Sequence, residues 1–300
     1  MKTRIITGSI IFSIYVVFIT LTAFIADPIG RLFYDAMVIA MMIIGGIEMS
    51  NAISKRYGKP IVAFIVLNCL LGYAVFKVVH HTSFWGGVEN GGIFAFFGQL
   101  FVIFLLCIIY NMFKKRDISN VFSTIFVLVY PVSLMVYILS LNYLMDSLRI
   151  MAILLVFMIS SFTDVFAYFV GSIVKGPKLA PNISPKKTVS GAIGGLMGGL
   201  LASLLVFMFG QFGIMKVELF TNDATINMYH LTIIGVLGAA FNQLGDLVAS
   251  FIKRACGAKD FSSLLPGHGG VVDRVDGMML VAVFVFLYIS AFDMMSKSIV

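Results

Sequence analysis

Apolar residues run along this chain in long unbroken blocks, parted by short polar stretches. The blocks cover approximately residues 5–26, 32–52, 60–80, 92–113, 119–142, 148–173, 190–213, 229–252 and 278–295. A helix of about 20 apolar residues crosses a hydrocarbon core of roughly 30 Å. Backbone polar groups in lipid must be satisfied within the span, so each block reads as a helix. The strict alternation of a membrane barrel is missing. The first block follows Lys2 and Arg4, as a signal peptide would. Its apolar stretch is longer than the roughly 7–15 residues of a signal core, so it reads as a membrane helix. The expected fold is all-α: a polytopic bundle of about nine transmembrane helices forming a single integral membrane domain over 1–300. Within it, N-terminal helices take up about 1–115 and C-terminal helices, which hold the chemistry, about 119–300.

Composition agrees. Hydrophobic residues make up 60% and charged residues 12% of the chain, where soluble domains carry about 45–50% and 25%. Mean hydropathy is +1.03. The net charge of +7 could suggest a nucleic-acid partner, but its distribution gives another reason. Sixteen of the 21 Lys and Arg residues fall in loops on one side, and only Arg31, Lys77, Arg149, Lys216 and Lys297 fall on the other. The positive-inside rule then puts the N-terminus in the cytoplasm and the C-terminus outside. Orientation and anionic lipid account for the basic excess, and no nucleic acid is needed. Cys69, Cys107 and Cys256 are scattered and form no CxxC pair, so neither a zinc site nor a disulfide framework is indicated. Trp85, in a Gly-rich outer loop, reads as an interfacial anchor.

Three places break the apolar pattern. Asp164 lies about ten residues inside the sixth block, too deep for a short side chain to reach the interface. A carboxylate there costs at least about 2.5–3.5 kcal/mol to insert, and such groups face a wet cavity or a partner. Glu48 is shallower, near Lys55 and Arg56, and is left between a site role and a solvated end. The second break is Gly176–Gly191, where Pro177, Pro181 and Pro185 forbid a continuous helix. Lys178, Lys186, Lys187, Ser184, Thr188 and Ser190 make this loop able to hold phosphate, or simply a basic cytoplasmic loop. The GAIGGLMGG run after it is a close-packing surface and lacks the ending of a P-loop.

The third break, Asn242–Asp276, holds most of the chemistry. Asn242, Asp246, Ser250 and Lys253 share one helical face. Arg254, Lys259 and Asp260 follow, then Pro266-Gly267-His268-Gly269-Gly270, then Asp273, Arg274 and Asp276. Asp246, Asp273 and Asp276 form an oxygen-only set suited to Mg²⁺ or another hard cation. The bland alternative is a set of salt bridges. His268 reads as a phosphate donor or structural contact sooner than as a general base.

The segment Ser250-Phe-Ile-Lys253-Arg254, followed by Lys259-Asp260 and PGHGGVVDRVD, resembles the signature of the phosphatidate cytidylyltransferases, or CDP-diacylglycerol synthases. A second block from Asp164 through AYFVG to the Lys-Leu-Ala-Pro-x-Ile-Ser-Pro-Lys-Lys-Thr run is similar to theirs as well. The chain departs at Ser172, where a basic residue is expected, and at Ser190, where a Glu is usual. The resemblance implies an enzyme that joins CTP to phosphatidic acid in the membrane, giving CDP-diacylglycerol and pyrophosphate at the cytoplasmic face of a bacterial plasma membrane. It implies Mg²⁺ at Asp246, Asp273 and Asp276, with Asp164 lining the cavity or binding a second cation such as K⁺. It further implies that Lys253, Arg254, Lys259 and Arg274 hold phosphates, that Lys186 and Lys187 close over a substrate, and that Lys178, Ser184, Thr188, Ser250, His268, Gly269 and Gly270 line the binding site. A homodimer is one arrangement left open. The rival readings are a CTP-dependent polyprenol or lipid kinase and, more remotely, an ion-coupled transporter.

Overall fold

The computed structural model describes residues 29–82, 91–114, 117–214 and 217–299. The expected helix at 5–26, Lys115, Arg116, Lys216 and the Trp85 anchor lie outside the described residues. Helices dominate: α1 (Ile29–Ile53), α2 (Val62–Thr82), α3 (Gly91–Lys114), α4 (Ser119–Val127), a π-type turn at Leu128–Ser133, α5 (Leu134–Leu141), α6 (Asp146–Val174), α7 (Val189–Gln211), α8 (Ala224–Ala255) and α9 (Val272–Ile299). Strands β1 (Lys178–Ala180) and β2 (Ser184–Thr188) form an antiparallel hairpin with Lys178 opposite Thr188. Counting Ser119–Leu141 as one, eight helices among the described residues are long and apolar enough to cross a membrane. The protein is an all-α integral membrane protein.

The fifth apolar block is not one helix. Pro131 has no N–H to donate, and its ring opposes the preceding turn. The backbone at Tyr130 leaves the helical region (φ −132°, ψ 116°). Ser133 Oγ donates to Leu128 O at 2.7 Å and repairs part of the ladder. The last block also starts early. Its helix begins at Val272 rather than near 278, which brings Asp273 and Asp276 into its first two turns.

The described residues group into two compact units. The first holds Asp35–Ser140 and Lys253–Asp273. Gly46 of α1 leaves room for Ile65 of α2, where a Cβ would sit 2.6 Å from the Ile65 side chain. The α1–α2 loop is tied to the start of α4, because Lys59 N–H donates to Asn120 Oδ1 at 2.6 Å and Ile61 N–H to Thr124 Oγ1 at 2.9 Å. Ile61, Cys107 and Val121 form a buried cluster beside Phe64 and Tyr110.

The second unit holds Leu141–Ile252 and the chain from Arg274 on, with the start of α1. Its centre is a glycine seam. Gly191, Gly194, Gly195, Gly198 and Gly199 are all buried on α7. A Cβ on Gly198 would lie 2.5 Å from the Phe162 carbonyl oxygen of α6, and one on Gly199 2.5 Å from Ala239 Cβ of α8. Small residues let helix backbones approach this closely, as membrane packing favours. On the other side of α8, Gly245 lies against the Asp276 carbonyl and Gly277 of α9.

Candidate active site

In the second unit a cavity of about 330 Å³ opens among α6, the hairpin, α7 and α8. Its wall includes Asp164, Tyr168 and Ser172 of α6, Leu179 of β1, Lys186, Lys187 and Thr188 of β2, and Gln243 and Asp246 of α8. Lys187 Nζ is ion-paired with Asp246 Oδ2. Ser250, one turn on, reaches Asp246 Oδ1 at 3.4 Å. Asn242, one turn back, donates from Nδ2 to Asp164 Oδ1 at 2.8 Å, joining α8 to α6. The Asn242 Oδ1 atom is buried with no hydrogen-bond partner among the described residues.

The hairpin is placed by its last residue. Thr188 is the N-cap of α7 in extended conformation, and its Oγ1 accepts from Gly191 N–H at 3.1 Å. That bond satisfies one of the helix's orphan donors. Ser190 lies 3.1 Å from Thr188 Oγ1 and also donates to Lys175 O. The two serines that depart from the family pattern therefore have local roles: Ser190 braces the hairpin base and Ser172 faces the cavity. Lys178 is exposed, while Ser184 pairs in register with Ala180.

In the first unit the glycine-rich loop is organised by two buried carboxylates. Asp273, 8% exposed, accepts from Lys253 Nζ at 2.8 Å on Oδ1, and from the N–H groups of Phe261 and Gly270 at 2.9 Å each on Oδ2. Lys253 Nζ also stands 5.4 Å over the Phe261 ring. Glu48 of α1, 4% exposed, accepts from Ser262 Oγ at 2.6 Å and from the N–H groups of Val271 and Val272 at 3.0 Å. The glycines follow from these carboxylates. Gly269 (φ +81°) has Asp273 Oδ2 2.7 Å from where a Cβ would be, and Gly270 has Glu48 Oε2 at 2.4 Å.

The end of α8 is closed in the same economical way. Gly257 (φ +68°) follows it in the left-handed region, with Gly257 N–H to Arg254 O at 3.0 Å and Ala258 N–H to Lys253 O at 2.8 Å. This is a Schellman cap. Arg254, Lys259, Asp260 and Arg274 are exposed. His268 is half-buried, its Nδ1 unpartnered among the described residues. Asp276 is half-buried, and its Oδ1 accepts from Gly277 N–H at 2.8 Å.

Of the expected carboxylate trio, Asp273 falls in the first unit and Asp246 and Asp276 in the second. Among the described residues no three His, Cys, Asp or Glu side chains gather closely enough to hold a metal ion. The donor chemistry still suits a hard cation. Asp164 and Asp246 turn oxygens to one cavity, and the Lys187 ammonium already fills the place of a positive charge. Mg²⁺ takes one or two carboxylates and completes its shell with water and substrate phosphate. Asp273 is different, since its oxygens accept two hydrogen bonds from its own loop and one from Lys253 of α8. Sequence reasoning passed over Gln243, Phe261 and Ser262, and left Glu48 undecided. Only the spacing of Gln243 on the Asn242–Asp246 turn could have pointed to any of them.

Comparison with known proteins gives a consistent picture. A profile of the cytidylyltransferase family matches residues 2–292. The chain is 42% identical over 126 residues to a phosphatidate cytidylyltransferase of Brucella abortus (strain 2308), covering 42% of each chain. It is 35% identical over 178 residues to one of Rickettsia conorii, covering 59% of this chain and 72% of the relative. One of Staphylococcus haemolyticus is 46% identical over 65 residues, or 22% of this chain and 25% of the relative. The match to the Brucella protein therefore spans about two fifths of that relative's length. With a profile that runs over nearly its whole length, and a cavity that sets lysines against carboxylates, this chain belongs to the cytidylyltransferase family.

Proposed function

We propose that the protein is a CTP:phosphatidate cytidylyltransferase. The observation that carries this reading is the cavity where Lys186 and Lys187 face Asp164 and Asp246 beside apolar helices. A phosphate oxygen of phosphatidic acid attacks the α-phosphorus of CTP in line. The new P–O bond forms as the bond to the β-phosphate oxygen breaks, and pyrophosphate leaves. The nucleophile is an anion at neutral pH, so no strong base is required. The task of the protein is to bring two polyanions together and to balance the charge of the leaving group.

Lys186 and Lys187 neutralise phosphate oxygens from the hairpin side, and Ser172 and Gln243 offer further polar contacts. Asp164 and Asp246 would hold Mg²⁺, with Asp276 at the crossing of α8 and α9. When bound, the metal supplies charge neutralisation to the phosphates. Asn242 holds the Asp164 carboxylate in place for this. Asp273 keeps Lys253 and the glycine-rich loop in shape, while Arg254, Lys259 and Arg274 add positive potential for CTP. The acyl tails stay in the bilayer beside the exposed apolar faces of α6 and α7. The charge asymmetry of the loops supports a place for this site at the cytoplasmic face of the cell membrane.

The test is an assay of purified protein in detergent with phosphatidic acid, Mg²⁺ and CTP labelled at the α- or the γ-phosphate. Label from the α-position should enter the lipid, and label from the γ-position should leave as pyrophosphate. Chelator should abolish the reaction and added Mg²⁺ restore it. Transfer of the γ-label to lipid would overturn the proposal in favour of a lipid kinase.

A further inference from the structure

The glycine-rich loop between α8 and α9 carries the family signature, yet one of its two anchors lies far from that signature. Glu48 belongs to α1, and its loop partners are 214 to 224 residues away in sequence. One oxygen takes Ser262 Oγ and Val271 N–H, and the other takes Val272 N–H. Val271 and Val272 stand at the start of α9, where backbone donors lack intrahelical acceptors. A carboxylate there satisfies them and complements the positive end of the helix. The same carboxylate fills the space that the missing Cβ of Gly270 leaves. Asp273 grips the loop at Phe261 and Gly270, so the two acids hold neighbouring positions at both of its ends.

We propose that Glu48 is a positioning residue for cytidylyl transfer: by fixing Ser262 and the first donors of α9, it sets the conformation of the signature-bearing loop that carries Lys259 and His268. This rests on the functional reading above. A carboxylate is specifically needed, because only a group with two acceptor oxygens serves a hydroxyl and two N–H donors without offering a competing donor.

The protein holds its own reporter. Cys256 is 3% exposed, next to Gly257, which lies against Arg56 just beyond α1. Burial raises its thiol pKa, against the pull of Lys55 and Arg56. Cys69 and Cys107 are fully buried in α2 and α3. The experiment compares wild type, Glu48→Ala, Glu48→Gln, Ser262→Ala and the Glu48→Ala/Ser262→Ala pair as full chains in detergent. It measures kcat, KM for CTP, and maleimide labelling of each cysteine by mass spectrometry.

Glu48→Ala should lose roughly tenfold or more in kcat/KM, as a misplaced site does. Cys256 labelling should accelerate about tenfold while Cys69 and Cys107 stay protected. Glu48→Gln should lie between, since it keeps an acceptor but adds a donor. Ser262→Ala should add less than about twofold to the loss in the Glu48→Ala background, because coupled groups are not additive. Wild-type kinetics and labelling in Glu48→Ala would overturn the proposal. If Glu48→Ala labels at all three cysteines, it has unfolded, and Glu48→Gln decides: wild-type values there would overturn the proposal equally. Failure of the wild type to make CDP-diacylglycerol would sink the functional reading instead, and the labelling rates would still show whether Glu48 holds the loop.

Discussion

Two aspartates that look alike in the sequence differ in what surrounds them, and so in what their removal should do. Asp273 and Lys253 have side chains only 3% and 12% exposed. Breaking a buried pair costs about 3–5 kcal/mol, because the surviving charge stays desolvated. Asp273→Asn should therefore lower the melting temperature and the yield of monodisperse protein as well as activity. Asp246 and Lys187 are 33% and 24% exposed, where an ion pair is worth about 0–1 kcal/mol. Asp246→Asn and Lys187→Met should keep near wild-type melting curves yet lose about 100-fold in CTP-dependent turnover, within the range seen for misplaced reacting groups. Near wild-type turnover in Asp246→Asn would remove that residue from the metal site. The spacing of Asp273 and Asp276 on one helix was legible in the sequence, but the partners of Asp273 were not. They are backbone N–H groups of a loop whose path depends on Gly269 and Gly270, and no side-chain pattern announces them.

At the scale of elements, length and apolar content suffice for a membrane helix, and the apolar blocks from 32 onward match α1 to α9 within a few residues at most ends. The hairpin was harder to read. The prolines of 176–191 ruled out a helix, but strands of three and five residues carry too little pattern to announce themselves. They hold their shape through the Thr188 cap and the Ser190 brace. Thr188→Ala should destabilise the cap by about 1 kcal/mol, visible as faster proteolysis at Lys186 and Lys187. Pro131 lies inside a block whose hydropathy alone predicts an unbroken span. On the seam face of α7 a side chain at Gly198 has no room, with the Phe162 carbonyl oxygen 2.5 Å from any Cβ there. Gly198→Leu should part α6 from α7 and leave little folded protein, read as the monodisperse fraction on size exclusion.

For the whole molecule, loop charge predicts the orientation directly. Single cysteines replacing Lys59 and Lys259 should react with an impermeant thiol reagent only from the cytoplasmic face, and one replacing Glu218 only from outside. The reverse pattern would leave the proposed site without access to cytoplasmic CTP. Links such as Asn242 to Asp164, 78 residues apart, could not be read in advance, since both residues sit in spans that differ little from their neighbours. The glycine seam bears on how the family can vary. Where main chain rests directly on main chain, no neighbour can shift to accommodate a larger residue, so drift must concentrate on lipid-facing positions. Ile193 and Met197, 57% and 61% exposed and each one step from a seam glycine, are free to exchange for any oily residue as the surrounding lipid changes.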